Sequence, residues 1–571
     1  MADTQRLAFT DKPFFPLYLA SGTLLAYIWA TPLRDLFGLE ARNGLFVKIM
    51  VTDGPSLIPT VMGTPYSDYP PLYFWFSWLF SLPAGHVTTL SAVLPSALAA
   101  AAMVAITFML ARKISVPVAL IAALALATCP DYWLKAGRAT LDMLLALWVT
   151  LAVFFLYLRH SRPAAGTGKL TEIAAFVMIL LAFFTKGPVG LVLPVGIWST
   201  FLLCEKKWRT LLSFTVKSFL LAAFGIGIEL LFLWNSGGSE LIQKVFSAQL
   251  AGRVGVGANG PVYYYLLYLL SGAAPWWIPA CFGFFLAVRQ GAAGVNVRTF
   301  MSNFFPHEIM RLAACWFFFV FVLFTAASTR HSRYLLPLFP ALFLLIGRGI
   351  ELFWEQMSLP RKQGTATFFR YFFFLIVAAG TVMYVAAPLS YRPPILFWLV
   401  WSACSILIYV LLTKKTGKNS QAFGLALLCV GCAMAAEAML VEPWISYQES
   451  GRLFVRETEA KIDQTIPIVF YKISPDGDGI KYALHSSRRS ETLSFTGDSA
   501  EINRLPLPFV LVSFAKSEQE LTKFGNEKSM EEIAQGLLHK KIIKSWLIRD
   551  MKQDIPQGET LSGLPATVNG I

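Results

Sequence analysis

The chain has 571 residues, of which 56% are hydrophobic and 14% charged, and its mean hydropathy is +0.57. A soluble core stops growing near ~250–300 residues and carries roughly 25% charged residues, so an ordinary soluble enzyme is excluded. The formal charge of +14 belongs to the apolar part: from Trp444 onward there are 16 basic and 17 acidic residues. With 47 Phe, 19 Tyr and 16 Trp, disorder is excluded as well. The pattern is that of a polytopic α-helical membrane protein.

Apolar stretches long enough, or nearly long enough, to span a bilayer lie at 14–33, 88–111, 116–132, 141–158, 171–186, 188–204, 211–234, 262–287, 309–328, 334–351, 368–388, 394–413 and 421–441, thirteen in all. The first reads as an anchor, since no convincing cleavage site follows it. A long outer loop at 34–87 comes next. Within it PPLYFWFSWLFSLP at 70–83 is too short and too aromatic for a span and reads as an interfacial or re-entrant helix. With the N-terminus inside, the inner connections carry Arg112 and Lys113, then Lys206, Lys207 and Arg209, and later Lys414, Lys415 and Lys418. That is the positive-inside pattern.

An odd number of spans puts the remainder outside. The expected division is a transmembrane domain over 1–443 and a small extracytoplasmic α/β domain over 444–571. The second begins with an amphipathic run (GRLFVRETEAKIDQ). Strand-like runs follow at 467–473 and 507–514, then helix-like ones (SEQELTKFG, SMEEIAQGLLHKK). The seven cysteines all precede it and sit in or beside apolar runs, with no disulfide framework and no zinc spacing. Basic residues do not gather into a soluble basic domain, so no nucleic-acid partner is expected.

Charges on the outer side are not explained by the positive-inside rule. They include Arg42, Lys135, Arg138, Lys186, Arg253, Arg330 and Arg333, interleaved with Glu40, Asp68, Asp131 and Asp142 at span ends. Each alone can be a headgroup anchor with its stem in the bilayer. As a group they describe a wet, basic vestibule. Arg and Lys neutralise and orient a phosphate leaving group, and a carboxylate can orient or deprotonate an acceptor. Lys186 closes a span before Gly187-Pro188, and Arg330 and Arg333, three residues apart, precede Tyr334 and the next span.

Five stretches carry a family resemblance: GLEARNGLF with PYSDYPPLYFW, GRATLDMLLA, TKGPVGLVLP, RHSRYLLPLFPALFLL and, more weakly, RVGVGANGPVYYYL. In order and spacing the chain resembles the lipid A aminoarabinose transferases and the bacterial relatives of the protein O-mannosyltransferases. The resemblance implies a GT-C fold with about 13 transmembrane helices in the bacterial inner membrane. It implies transfer of a sugar from a polyprenyl-phosphate donor to a lipid or other cell-envelope glycan acceptor on the outer face.

The same resemblance assigns Glu40 and Asp142 as catalytic acids and Arg42, Lys186, Arg330 and Arg333 as donor-phosphate ligands. Asp68, Tyr69, Arg138, Arg253 and Tyr334 would line the substrate vestibule. The family's usual first acid falls at Leu39, and its Glu-Lys-Pro-Pro at Asp68-Tyr69-Pro70-Pro71. The position of a family histidine is Ala258, so no metal and no other cofactor are expected. The other readings are a transporter or flippase of lipid-linked sugars, which would show internal repeats and broken midplane helices, and a relative that binds the lipid without catalysis.

Overall fold

A computed structural model describes residues 10, 12–66, 69–161, 168–254, 261, 263–291, 305, 307–327, 329–415, 421–517, 520 and 528–550. The chain divides into two compact units, 1–60 with 65–446, and 61–64 with 447–571.

The first unit is helical. It opens with α1 (Phe15–Ile28), α2 (Leu39–Asp53) and the aromatic α3 (Leu72–Ser81). Between α2 and α3 in the chain, the short strands β1 (Thr60–Val61) and β2 (Thr64–Pro65) form a ribbon whose residues 61–64 count with the second unit. Then come α4 (Thr89–Ala111), α5 (Val116–Ala127), α6 (Pro130–Ala136), α7 (Leu141–Ser161), α8 (Gly168–Lys186) and α9 (Pro188–Cys204). A long α10 (Trp208–Val254) leaves helical geometry at Gly237 and Gly238. It is followed by α11 (Tyr264–Gly272), α12 (Trp277–Gly291), α13 (Glu308–Ala326), α14 (Phe339–Gln356), α15 (Leu359–Ala386), α16 (Ile395–Lys415) and α17 (Gln421–Glu449).

Each of the thirteen apolar stretches is mainly helical over its described residues, but they are not thirteen equal spans. Among the described residues nine helices are long and apolar enough to cross a membrane, or up to 11 if two bent pairs each count once. The bent pairs are α5 with α6, at 60°, and α11 with α12, at 102°. Pro130 opens α6 and Pro275 lies between α11 and α12. A proline offers no N–H to continue the previous helix, so the chain turns there. Of the other two stretches, α9 has 17 residues and α1 has 14. The chain is a multi-pass membrane protein.

Burial separates the helices by role. α4, α7 and the span ending in α14 are mostly inside the bundle, whereas α15 and α16 bury little of their surface. α3, the aromatic 70–83 run, is only 10 residues long and packs Tyr73 and Phe74 inward. Tyr73 hydroxyl donates to the Ala92 carbonyl of α4 at 2.9 Å. The CxxC pair, Cys429 and Cys432, faces neighbouring helices as free thiols, Cys432 Sγ lying 3.2 Å from Ser405 Oγ.

The second unit is a mixed sheet with helices. After α18 (Arg452–Ala460) come β3 (Ile468–Tyr471), β4 (Ser494–Thr496), β5 (Phe509–Phe514), β6 (Lys528–Leu538) and β7 (Lys541–Asp550), in spatial order β4-β3-β5-β7-β6. β3 runs parallel to β4 and β5; β7 runs antiparallel to β5 and β6. The run SMEEIAQGLLHKK, expected to be helical, is edge strand β6 and its hairpin to β7. A bulge between Glu532 and Ala534 places Ile533 and Ala534 side by side in the core, which breaks the period-two pattern of a strand. Most of SEQELTKFG lies outside the described residues.

Candidate active site

Two groups of charges occupy one end of the α2–α8 region. The first is built on Asp142, second residue of α7 and 4% exposed. An acid in the first turn of a helix is favoured by the helix dipole. Lys186, at the last turn of α8, donates to Asp142 Oδ1, and Arg333 Nε lies 3.2 Å from Asp142 Oδ2. Tyr334 closes the group: its ring lies 4.2 Å from Lys186 Nζ and 5.5 Å from the Arg333 guanidinium carbon.

Local sequence explains the placement of each cation. Gly187 takes a φ of +66°, ending α8 directly after Lys186, and Pro188 begins α9 at the position where proline is best tolerated. Arg333 sits in a 3₁₀ turn, Ser332–Leu338, ahead of α14. His331 precedes that turn with its ring edge-on to Tyr334 at 5.2 Å. Burial together with the neighbouring Arg333 and Lys186 holds its imidazole below the ordinary histidine value.

Tyr69 and Arg42 complete the vestibule. The Tyr69 phenol is pushed above its ordinary value by burial, with Asp142 and Tyr334 adding and Arg333 and Arg42 opposing, so it is a neutral hydrogen-bond donor. Arg42 Nη1 donates to Tyr66 hydroxyl at 2.6 Å and its guanidinium lies over that ring at 5.0 Å. Arg330 Nη2 reaches the Thr325 carbonyl at 3.4 Å. Arg330 precedes the 3₁₀ turn that carries Arg333. Asp68 lies outside the described residues, as does the side chain of Arg253.

The second group surrounds Glu40. Arg34 grips it with two parallel bonds, Nη1 to Oε2 at 2.7 Å and Nη2 to Oε1 at 2.9 Å, and the Ala139 backbone N–H donates to Oε1 at 2.6 Å. Glu40 is 1% exposed. Burial alone would raise its carboxyl, but Arg34, with Arg138 and the Ala139 N–H, outweighs that and holds it below the usual carboxylate range. Glu40, a catalytic acid by the family motif, has both oxygens engaged here, Oε2 by Arg34 and Oε1 by Arg34 and the Ala139 N–H. Leu39, where the family has its first acid, is 43% exposed.

What Glu40 does hold is the segment leading to Asp142. Arg34 Nη2 donates to the Gly137 carbonyl at 2.6 Å, Asn43 Nδ2 to the Ala139 carbonyl at 2.8 Å, and Ser96 Oγ to the Thr140 carbonyl at 2.9 Å. Arg138, expected in the vestibule, pairs with Glu442 of α17 at 2.5 Å. Arg34 Nε also lies 3.7 Å from Glu442. Sequence reasoning passed over Arg34 as a site residue and ended the last span before Glu442. The available signal was a carboxylate within an otherwise apolar run. It also missed the Asp131, Lys135 and Tyr268 group, in which Lys135 Nζ lies 2.5 Å from Tyr268 hydroxyl.

Chemically, the Asp142 group suits an anionic ligand and carries its own counterion. Two cations share one carboxylate, so the group keeps a surplus positive charge. Arg333, with 23% of its side chain exposed, is the member most open to a ligand, and Asp142 lies behind it. Among the described residues, no three His, Cys, Asp or Glu are placed to hold a metal ion.

A profile of the family described as dolichyl-phosphate-mannose-protein mannosyltransferase matches residues 68–233. The undecaprenyl phosphate-α-4-amino-4-deoxy-L-arabinose arabinosyl transferase of Shewanella sediminis is 24% identical over 476 residues, covering 78% of this chain and 81% of that protein. A protein of the same name from Proteus mirabilis is 25% identical over 352 residues, 59% of each chain. The crystal structure of ArnT from Cupriavidus metallidurans bound to undecaprenyl phosphate superposes with a TM-score of 0.67 at 18% identity, covering 93% of this chain and 97% of that one. In fold this chain is thus similar to ArnT, and in sequence it resembles the aminoarabinose transferases, as its motifs indicated.

Proposed function

We propose that the chain is a glycosyltransferase that moves a sugar from a polyprenyl-phosphate donor to a lipid A-like lipid or another cell-envelope acceptor. The reaction would take place on the outer face of the inner membrane. The observation that carries this reading is the convergence of Lys186 and Arg333, from helices α8 and the turn before α14, on Asp142 beneath Tyr334. A phosphate bound there meets two fixed cations and the neutral phenol of Tyr69. As the anomeric C–O bond breaks, the departing polyprenyl phosphate gains negative charge, and preorganised cations stabilise it. Asp142 fixes the geometry of both cations, and Glu40 fixes the segment that presents Asp142. The names of the relatives support the same donor class. Charge neutralisation comes from Arg and Lys, and the proposed reaction uses no metal.

The test is single-turnover transfer from a purified polyprenyl-phosphate sugar. Lys186→Ala and Arg333→Ala each remove a charged hydrogen bond worth about 1.5–3 kcal/mol, so transfer efficiency should fall roughly 10–150-fold. Wild-type turnover in both variants would make the two side chains mere anchors. Donor binding by the wild type without turnover, across a panel of acceptors, would identify a non-catalytic relative.

A further inference from the structure

A cavity of about 1010 Å³ opens between α1, α5, α14, α16 and α17. Its walls are almost wholly apolar, with Trp29, Leu124, Trp354, Trp401, Gly424 and Gly431 among them. None of Arg42, Tyr69, Asp142, Lys186, Arg333 and Tyr334 contributes to it, so it is separate from the anion site. Along α17 the lining runs from Phe423 to Ala435, roughly 18 Å at the helical rise of 1.5 Å per residue. That is about the depth of one leaflet of a ~30 Å hydrocarbon core. So apolar a lining offers water no partners and suits hydrocarbon.

The two ends differ in charge. At one end Val116, Trp354 and Leu412 line the cavity. Lys113 and Lys414 stand exposed within three residues of this lining, and Lys362 Nζ lies 5.4 Å from the centre of the Trp354 ring. At the other end are Trp29, Trp133 and Ala435. Beyond them Arg34, Glu437 and Glu442 line a small pocket that shares Trp133. An anionic headgroup is attracted to the first end, whereas at the second the acids already face Arg34 and Arg138, so the lysines of the first end orient any lipid that enters.

We propose that this cavity seats the acyl chains of an anionic phospholipid, with the headgroup phosphate among Lys113, Lys362 and Lys414. By the basic-loop pattern this is the cytoplasmic end, where anionic lipids attract juxtamembrane lysines. The site lies away from the proposed transfer site and does not depend on the transferase reading. Its role is to bind a lipid of the surrounding bilayer at the back of the bundle.

The experiment is native mass spectrometry of the full chain released from nanodiscs containing phosphatidylglycerol and phosphatidylcholine of matched chains. Phosphatidylglycerol should be retained over phosphatidylcholine by roughly tenfold or more, given about fivefold for each lysine near the headgroup. Lys362→Glu with Lys414→Glu should abolish that preference. Gly431→Leu should lower retention of both lipids, because a side chain there meets only Thr128 Cγ2, at 3.9 Å from its Cβ, before entering the cavity. Circular dichroism and gel filtration confirm that each variant is folded. Equal retention of the two lipids by the wild type, or undiminished retention in folded Gly431→Leu, overturns the proposal. Stoichiometric displacement of phosphatidylglycerol by polyprenyl phosphate also overturns it, giving the cavity to the donor.

Discussion

Glu40 separates two accounts of the site, because a base and a brace fail differently. As a brace it carries the charge of Arg34, which is also buried. Burial works against the Arg34 guanidinium, but Glu40, with Glu442 and Asp35, more than offsets this and lifts it above its ordinary value. Replacing Glu40 by Gln leaves that arginine without its main counterion, a change that costs about 3–5 kcal/mol in buried pairs. Glu40→Gln should therefore lower the melting temperature at neutral pH. The lowered carboxyl of Glu40 also fixes a sign: its contribution is full above the ordinary value of 4.5 and is lost as pH falls through the lower folded value. Stability of the variant should accordingly depend less on pH below about 4.5 than that of the wild type. Transfer per folded molecule should stay within a few-fold; a loss of ~10²–10⁴ in folded protein would restore Glu40 as the base. At this scale the sequence showed which charges needed partners and not who the partners are. Arg138 and Glu442 are separated by 304 residues, and Arg34 meets Gly137, and Glu40 meets Ala139, only through the fold. Lys186, Asp142 and Arg333 could be nominated singly, from span ends and motifs, while their convergence required the packed helices.

The TKGPVG segment shows how an element turns sequence into a site. Lys186 ends α8, Gly187 reverses the chain, Pro188 restarts it, and Gly190 lets α9 lie directly against α8. A Cβ on Gly190 would fall 2.0 Å from the Ala182 carbonyl oxygen, so even alanine forces the helices apart. At Gly187 a Cβ meets nothing within 4 Å, and the obstacle is the backbone angle of +66° alone. Holding a non-glycine residue in such a sparsely populated region costs about 1–3 kcal/mol. Gly187→Ala should therefore fold with a modestly lower melting temperature and a displaced, less active Lys186. Gly190→Ala should lose folded yield altogether, by gel filtration of detergent extracts. Equal tolerance of both would show that α8 and α9 do not need this close approach. Most elements were legible in the sequence because apolar runs of span length have few alternatives in a bilayer. The exceptions have physical causes. Prolines bent two runs into helix pairs, a count that hydropathy cannot resolve. The β6 bulge put two adjacent residues inside, so a strand with Glu531, Glu532 and Gln535 outward looked like an amphipathic helix.

For the whole molecule, the open question is which side the site faces, and the charge distribution gives a definite answer to test. Basic surplus lies in residues 1–443, and the stretch from Trp444 is close to neutral. Lysine-rich connections resist translocation, so the ends bearing Arg112, Lys113, Lys206, Lys207, Lys414 and Lys415 belong inside. The helix α8 begins after the Arg159 connection and ends at Lys186, which places Lys186, and with it Asp142 and Arg333, at the opposite face. A donor that arrives already activated as a polyprenyl phosphate suits a compartment without nucleotide triphosphates. The same alternation carries the chain out after α17, so the sheet unit should be extracytoplasmic. Ser499 is an exposed residue of that unit, and all seven native cysteines lie before residue 444. In spheroplasts, a membrane-impermeant maleimide should therefore label Ser499→Cys above the background of the unmodified chain. Lys113→Cys should react only after the membrane is permeabilised. The reverse pattern would place the anion site in the cytoplasm and remove the outer-face transfer reaction with it. Labelling of both in sealed spheroplasts would mean an even number of crossings between residues 113 and 499, so that one of the bent helix pairs enters and leaves on the same side.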